Sequence, residues 1–275
     1  MTKIGIFDSG FGGLTVLRDI VKRLPQYDYV YLGDNARAPY GTRSFDMVYR
    51  FTLQAVSRLF DMGCPLVILA CNTASAKALR SIQQRDLPQM SDPTQRVLGV
   101  IRPTVEALGN ISRNGHIGIL ATPGTIASNS YNIEISHLYP EFKTVGQACP
   151  LWVPLVENGV TDNVGAEYFI KKDIQSLFEK DPEIDTVILG CTHYPMIAET
   201  IRKFLPAGVS LISQGEIVAE SLADYLLRHP EMENRLNKHL RPTIEYYTTE
   251  TPDRFDSIAS TFMECPVSSR QLSLN

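Results

Sequence analysis

The chain has 275 residues, 44% hydrophobic and 20% charged, with a formal net charge of -4. That is globular composition, long enough for one large domain or two of roughly 100–150 residues each. The slight acidity excludes the basic footprint of a nucleic-acid or anionic-membrane binder, and no stretch reaches the ~18 apolar residues of a membrane helix.

The opening residues, MTKIGIFDSG, hold one lysine and few apolar residues before Asp8, so no signal-peptide core is expected. Five cysteines, at 64, 71, 149, 191 and 265, form an odd set without a CxxC pair. Reduced thiols in a cytoplasm fit that set better than a disulfide framework. The expected setting is cytoplasmic, without nucleic acid or membrane as partner.

In chain order, KIGIF (3–7) is the first strand, and it runs into DSGFGGLT (8–15), a glycine-rich turn. LTVLRDIVKRL (14–24) then spaces its apolar residues as a helix packed on one side. YVYL (29–32) is a strand and GDNARAPYGTRS (33–44) a loop, followed by the helical pattern SFDMVYRFTLQAVSRLFDMG (44–63). LVILA (66–70) is a strand that ends in Cys71, Asn72 and Thr73. After the polar stretch QMSDPTQR (89–96), VLGVI (97–101) and HIGILA (116–121) are strands. AEYFIKKDIQSLFEK (166–180) is a helix, TVILG (186–190) a strand ending in Cys191, Thr192 and His193, and VSLI (209–212) a strand. EIVAESLADYLLRH (216–229) is a helix and TIEYYT (243–248) the last strand. Strands that are apolar throughout and alternate with helices predict parallel sheets buried on both faces, an α/β fold.

The chain also repeats itself. IGIFDSG (4–10) aligns with IGILATP (117–123), and VILACNT (67–73) aligns with VILGCTH (187–193). Two such pairs in the same order favour duplicated units. The expectation is two similar, pseudo-symmetric parallel-sheet α/β domains with a cleft between them, residues 1–96 plus 209–275 forming one and residues 97–208 the other. Ligands of parallel α/β sheets sit outside the carboxyl ends of the strands. All four repeated segments place polar residues there: Asp8 and Ser9, Cys71 to Thr73, Thr122, and Cys191 to His193.

Four readings of the paired cysteines compete. Each could simply pack at a strand end, as a small hydrophobe does. With His193 and Asp8 they could bind zinc, although the usual short ligand spacings are missing. They could form a redox dithiol if the sulfurs came within bonding distance. Last, they could work as acid and base on opposite faces of a small molecule. Only that reading explains the symmetry, because inverting a stereocentre by proton transfer needs a base on one face and an acid on the other. A thiol, with an ordinary pKa near 8.5, can serve in either state, and Asp8 and His193 stand by to hold protons. The turn 8–15, the helix starts after Cys71 and Cys191, and the loop with Pro39, Tyr40 and Gly41 suit an anionic ligand. The turn is neither a dinucleotide fingerprint nor a Walker loop.

FDSGFGGLTV, YLGDNARAPYG, ILACNTASA, GVIRPTVEA, ATPGTIASNSY, PLVENG and ILGCTHYP together resemble the cofactor-independent glutamate racemases of the aspartate/glutamate racemase superfamily. The matching pieces run from residue 4 to about residue 217. The resemblance implies interconversion of L- and D-glutamate for bacterial peptidoglycan, with no cofactor and no metal. It implies that Cys191 acts on the L-enantiomer and Cys71 on the D-enantiomer, with Asp8, His193 and Glu157 assisting. Asp8, Ser9, Pro39, Tyr40, Gly41, Asn72, Thr73, Thr122, Thr125, Thr192 and His193 would bind the substrate. A homodimer is implied as well. Two other functions stay open from sequence: racemisation of aspartate, and a two-lobed amino-acid binding module without turnover.

Overall fold

The computed structural model describes residues 2–240 and 242–274. Among these residues ten strands form two sheets: β1 (Ile4–Asp8), β2 (Tyr29–Gly33), β3 (Leu66–Leu69), β4 (Arg96–Gly99), β5 (His116–Ala121), β6 (Lys143–Ala148), β7 (Thr186–Gly190), β8 (Ser210–Ile212), β9 (Ile244–Thr248) and β10 (Ser269–Gln271). The larger sheet has the order β10-β9-β2-β1-β3-β4 and the smaller β6-β5-β7-β8, and every strand pair within them is parallel. Residues of β1, β2, β3 and β7 are buried throughout, because helices cover both faces of each sheet. Among the described residues no helix is long and apolar enough to cross a membrane.

The repeat seen in the sequence is a repeat of topology. β2-β1-β3-β4 in one sheet has the same order as β6-β5-β7-β8 in the other. Even the register is kept: Ile4 pairs with Leu66 in the first unit, and the aligned residues Ile117 and Thr186 pair in the second.

That shared plan moves two strands across the expected seams at 96/97 and 208/209. Each unit closes with its own fourth strand, so β4 stays in the larger sheet beside β3, and β8 stays in the smaller beside β7. The polar stretch 89–96 therefore lies inside the first unit, residues 90–95 forming the loop that leads into β4. The chain crosses from one unit to the other after β4 and returns after β8. The returning segment follows expectation from there: helix Gln214–Arg228 packs on helix Gly13–Arg23, and β9 adds to β2.

Two strands carry no apolar run and have no counterpart in the sequence reading. β6, KTVGQA, is a half-exposed edge strand, and β10 is a three-residue edge strand. With one side open to water, neither needs the continuous hydrophobic stretch of a central strand.

Candidate active site

β1 ends in Asp8, and the turn that follows bends back to cap its carboxylate. Asp8 is fully buried, and its Oδ2 accepts a 2.9 Å hydrogen bond from the Gly10 N–H. Burial raises its pKa, opposed by the attraction of His193 and by the N–H groups of Gly10 and Gly13. Across the cleft, the Thr192 hydroxyl donates to Asp8 Oδ1 at 3.5 Å, and the Thr15 hydroxyl donates to the Thr192 carbonyl at 3.1 Å. The glycines of the turn permit this closeness. A Cβ at Gly12 would stand 2.2 Å from Thr192 Oγ1 and 2.4 Å from His193 Nδ1.

β3 ends beside it, and Cys71 is the N-cap of helix Asn72–Lys77, its sulfur accepting from the Ala74 N–H at 3.4 Å. The same sulfur lies 3.4 Å from Ser9 Oγ. Burial, and then the Asp8 carboxylate, push the Cys71 thiol up to about 12, so it holds its proton at neutral pH. A charge on Cys191 raises it further, which sets both thiols in one electrostatic neighbourhood.

On the opposing wall β7 ends in Cys191, whose sulfur is 3.9 Å from His193 Nδ1. His193 Nε2 is 2.9 Å from Glu157 Oε1, at the end of helix Trp152–Glu157. Burial by itself pushes the His193 pKa down. Its contacts with Cys191 and Glu157 outweigh that, and raise its pKa to about 10. The duplicated thiols thus sit in different surroundings: Cys71 is a helix cap facing a hydroxyl and a carboxylate, Cys191 the neighbour of an imidazolium.

The remaining candidates converge on the same place. Thr73, Thr122 and Thr125 bring their hydroxyls within 3.1–3.2 Å of one another across the two units. Thr122 also caps helix Pro123–Ser128. Gly41 lies against Thr122, where a Cβ would be 2.8 Å from the threonine Cβ. Tyr40 differs in detail from a ligand-binding hydroxyl, because its OH donates to buried Asp34, itself paired with Arg37. What the Pro39–Gly41 segment presents toward Thr122 is backbone. Asn72 is buried with both ends of its amide engaged, the Tyr131 hydroxyl donating to Oδ1 at 2.6 Å and Nδ2 donating to Gln214.

Thr15, Tyr131, Gln214 and Phe262 were missed by sequence reasoning. Phe262 sets its ring edge-on to His193 at 5.9 Å from the last helix, Pro252–Met263, and no spacing in the sequence points to it. The sulfurs are free, and the zinc set considered from sequence is not gathered to a point. Among the described residues the one metal-type cluster is His116, Asp181 and Glu183, at the start of β5.

Residues 4–222, which include every candidate from Asp8 to His193, match the family described as Asp/Glu/hydantoin racemase. A glutamate racemase of a Ruegeria species (strain TM1040) is 42% identical over 94% of this chain and 96% of its own length. The chain belongs to the Asp/Glu racemase family. Among solved members, a glutamate racemase of Bacillus anthracis has a TM-score of 0.90 at 35% identity, covering 99% of this chain and 98% of that one. A Francisella tularensis glutamate racemase, solved in complex with D-glutamate, has a TM-score of 0.88 at 33% identity, covering 100% and 98%. Family membership accounts for the two-sheet plan with candidate residues at strand ends.

Gly12→Ala drives a methyl into Thr192 and His193, and a shift of about 1 Å at a reacting site costs on the order of a hundredfold in rate. We expect kcat/KM to fall by that order with an unchanged circular dichroism spectrum; activity close to the parent would mean that the turn relaxes freely. In Glu157→Gln, loss of the carboxylate removes one of the two contacts that raise His193, so its titration moves to lower pH. Nitrogen-15 NMR of labelled histidine reads the shift directly, and an unmoved midpoint would leave Cys191 as its sole cause.

Proposed function

We propose that this protein interconverts L- and D-glutamate by proton transfer between two thiols, without a cofactor. The observation that carries this reading is the pair Cys71 and Cys191. They end matching strands of a duplicated fold, lie buried at one cleft, and each has its own proton partner. L-Glutamate enters with its α-hydrogen toward Cys191. The Cys191 thiolate takes that proton, and the electron pair left on the α-carbon is stabilised through the α-carboxylate. Cys71 gives its proton to the opposite face, leaving D-glutamate, a Cys191 thiol and a Cys71 thiolate. The reverse reaction starts from that second state.

The groups around the sulfurs suit these roles. His193, protonated at neutral pH, supplies positive charge beside Cys191, and Glu157 holds the imidazole in place. Asp8 stands near Cys71 with its carboxyl pKa raised, able to exchange protons with that sulfur. Ser9, Asn72, Thr73, Thr122, Thr125 and Thr192, with the backbone of Pro39, Tyr40 and Gly41, form the binding surface in this reading. Glutamate rather than aspartate as substrate is supported by the named relatives. The homodimer, the cytoplasmic setting and the supply of D-glutamate for peptidoglycan rest on the family resemblance.

Purified, exhaustively chelated protein should convert L-glutamate to D-glutamate with no added cofactor, and L-aspartate far more slowly. A faster aspartate reaction would reassign the substrate, and binding of glutamate without turnover would make the protein a binding module. Zinc-restored activity after chelation would require the cysteines, His193 and Asp8 to be reread as ligands.

In deuterated water at early times, the product should carry deuterium at the α-carbon while residual substrate stays protiated, because the new hydrogen comes from the second thiol. Cys71→Ala and Cys191→Ala should each lose racemisation in both directions, at least about a thousandfold, or roughly 4 kcal/mol of barrier. Protium retained in early product, or a single-cysteine variant near the parent rate, would sink the two-thiol mechanism.

A further inference from the structure

Asn72, directly after Cys71, is held by a closed ring of hydrogen bonds that no part of the proton transfer uses. Its Nδ2 donates to Gln214 Oε1, Gln214 Nε2 donates to the Tyr131 hydroxyl at 2.7 Å, and that hydroxyl donates to Asn72 Oδ1 at 2.6 Å. Every member is buried, Gln214 with 3% of its surface exposed and Tyr131 and Asn72 with 2% each. The ring has one direction only. Gln214 Nε2 also faces the Val100 carbonyl at 3.4 Å and Thr104 Oγ1 at 3.0 Å. Because a carbonyl can only accept, the Gln214 amide is fixed with its oxygen toward Asn72. The Tyr131 hydroxyl, receiving from Gln214, has its single hydrogen left for Asn72 Oδ1. Burial keeps that phenol protonated, so the donor persists at any working pH. Asn72 is therefore held in one flip of its amide, with one N–H left uncommitted among the described residues.

The ring also joins the two units at both places where the chain passes between them. Val100 and Thr104 lie on the passage after β4, and Gln214 begins the passage back after β8. Tyr131 belongs to helix Ser130–Leu138 of the second unit, and Asn72 opens the helix capped by Cys71 in the first. A shift of either passage therefore reaches the turn that carries the Cys71 sulfur. Linked hydrogen bonds in a dry interior polarise one another, and breaking one leaves buried partners unsatisfied.

We propose that Tyr131 and Gln214 are positioning residues: through the amide of Asn72 they hold the Cys71 turn, and the separation of the two units, in the arrangement that racemisation needs. The inference rests on the two-thiol reading of the site.

The test is steady-state kinetics of Tyr131→Phe, Gln214→Met and the double variant with glutamate in both directions, alongside thermal midpoints. Tyr131→Phe keeps the ring and removes only the hydroxyl, and Gln214→Met keeps the length. Each single variant should lose about tenfold or more in kcat/KM per folded molecule. The loss must be equal in the two directions, because the enantiomers are equally stable. The double variant should fall within about twofold of the worse single one, since both changes act through one amide. Single variants within twofold of the parent, or losses that multiply in the double variant, overturn the proposal. So does a lowered midpoint with unchanged kcat/KM, which is what a purely structural role predicts. If one single variant fails to fold, the other still decides. Parent protein that does not racemise glutamate, or Cys71→Ala that does, would instead strike the two-thiol reading.

Discussion

Asp8 and His193 are buried ionisable groups close enough to attract one another, and the rest of the site is arranged around that fact. A charge taken out of water costs several kcal/mol unless partners replace the lost hydration. Asp8 has the Gly10 and Gly13 N–H groups and the Thr192 hydroxyl; His193 has Glu157 on one nitrogen and Cys191 near the other. Of these partners only the Thr192 hydroxyl comes from the opposite unit. Each wall supplies most of the partners of its own buried group, and the contact through Thr192 needs the walls close together. The glycines at 12 and 41 follow from the same demand, since any side chain there would hold the walls apart.

Duplication supplied two strand ends with a thiol each, and the surroundings then diverged. In the first unit the sulfur caps a helix and faces Ser9, with a carboxylate near enough to push its pKa up. In the second, the aligned sulfur meets a histidine that holds its proton. A two-base reaction uses this asymmetry: at rest one thiol is an acid and the other stands beside a cation. The overall equilibrium between enantiomers cannot depend on the protein, so the difference between the walls can appear only in how each direction divides between kcat and KM.

A second layer lies behind the first. The threonine triangle of Thr73, Thr122 and Thr125 and the ring of Asn72, Tyr131 and Gln214 both bridge the units, one close to the sulfurs and one at the crossings of the chain. Hydroxyls and amides suit this work because they can be buried once satisfied, at far lower cost than charges.

Much of this was legible in the residues themselves. Buried parallel strands announce themselves as apolar runs, so β1, β3, β5 and β7 and the polar residues at their ends could be read directly, and the repeat placed the two cysteines in equivalent positions. Edge strands β6 and β10 lacked that signal because water satisfies one side of them. The division into units could not be read from polar stretches, since a loop inside a unit looks like a loop between units; pairing of β4 with β3 and β8 with β7 decided it. Nor could sequence tell that the Tyr40 hydroxyl turns to Asp34, that Phe262 reaches His193 from the last helix, or that Tyr131 and Gln214 grip Asn72. Local sequence determined which groups stand at strand ends, because hydrophobic periodicity acts over a few residues. Tertiary structure decided what each group faces, because those partners are brought together only when distant segments pack.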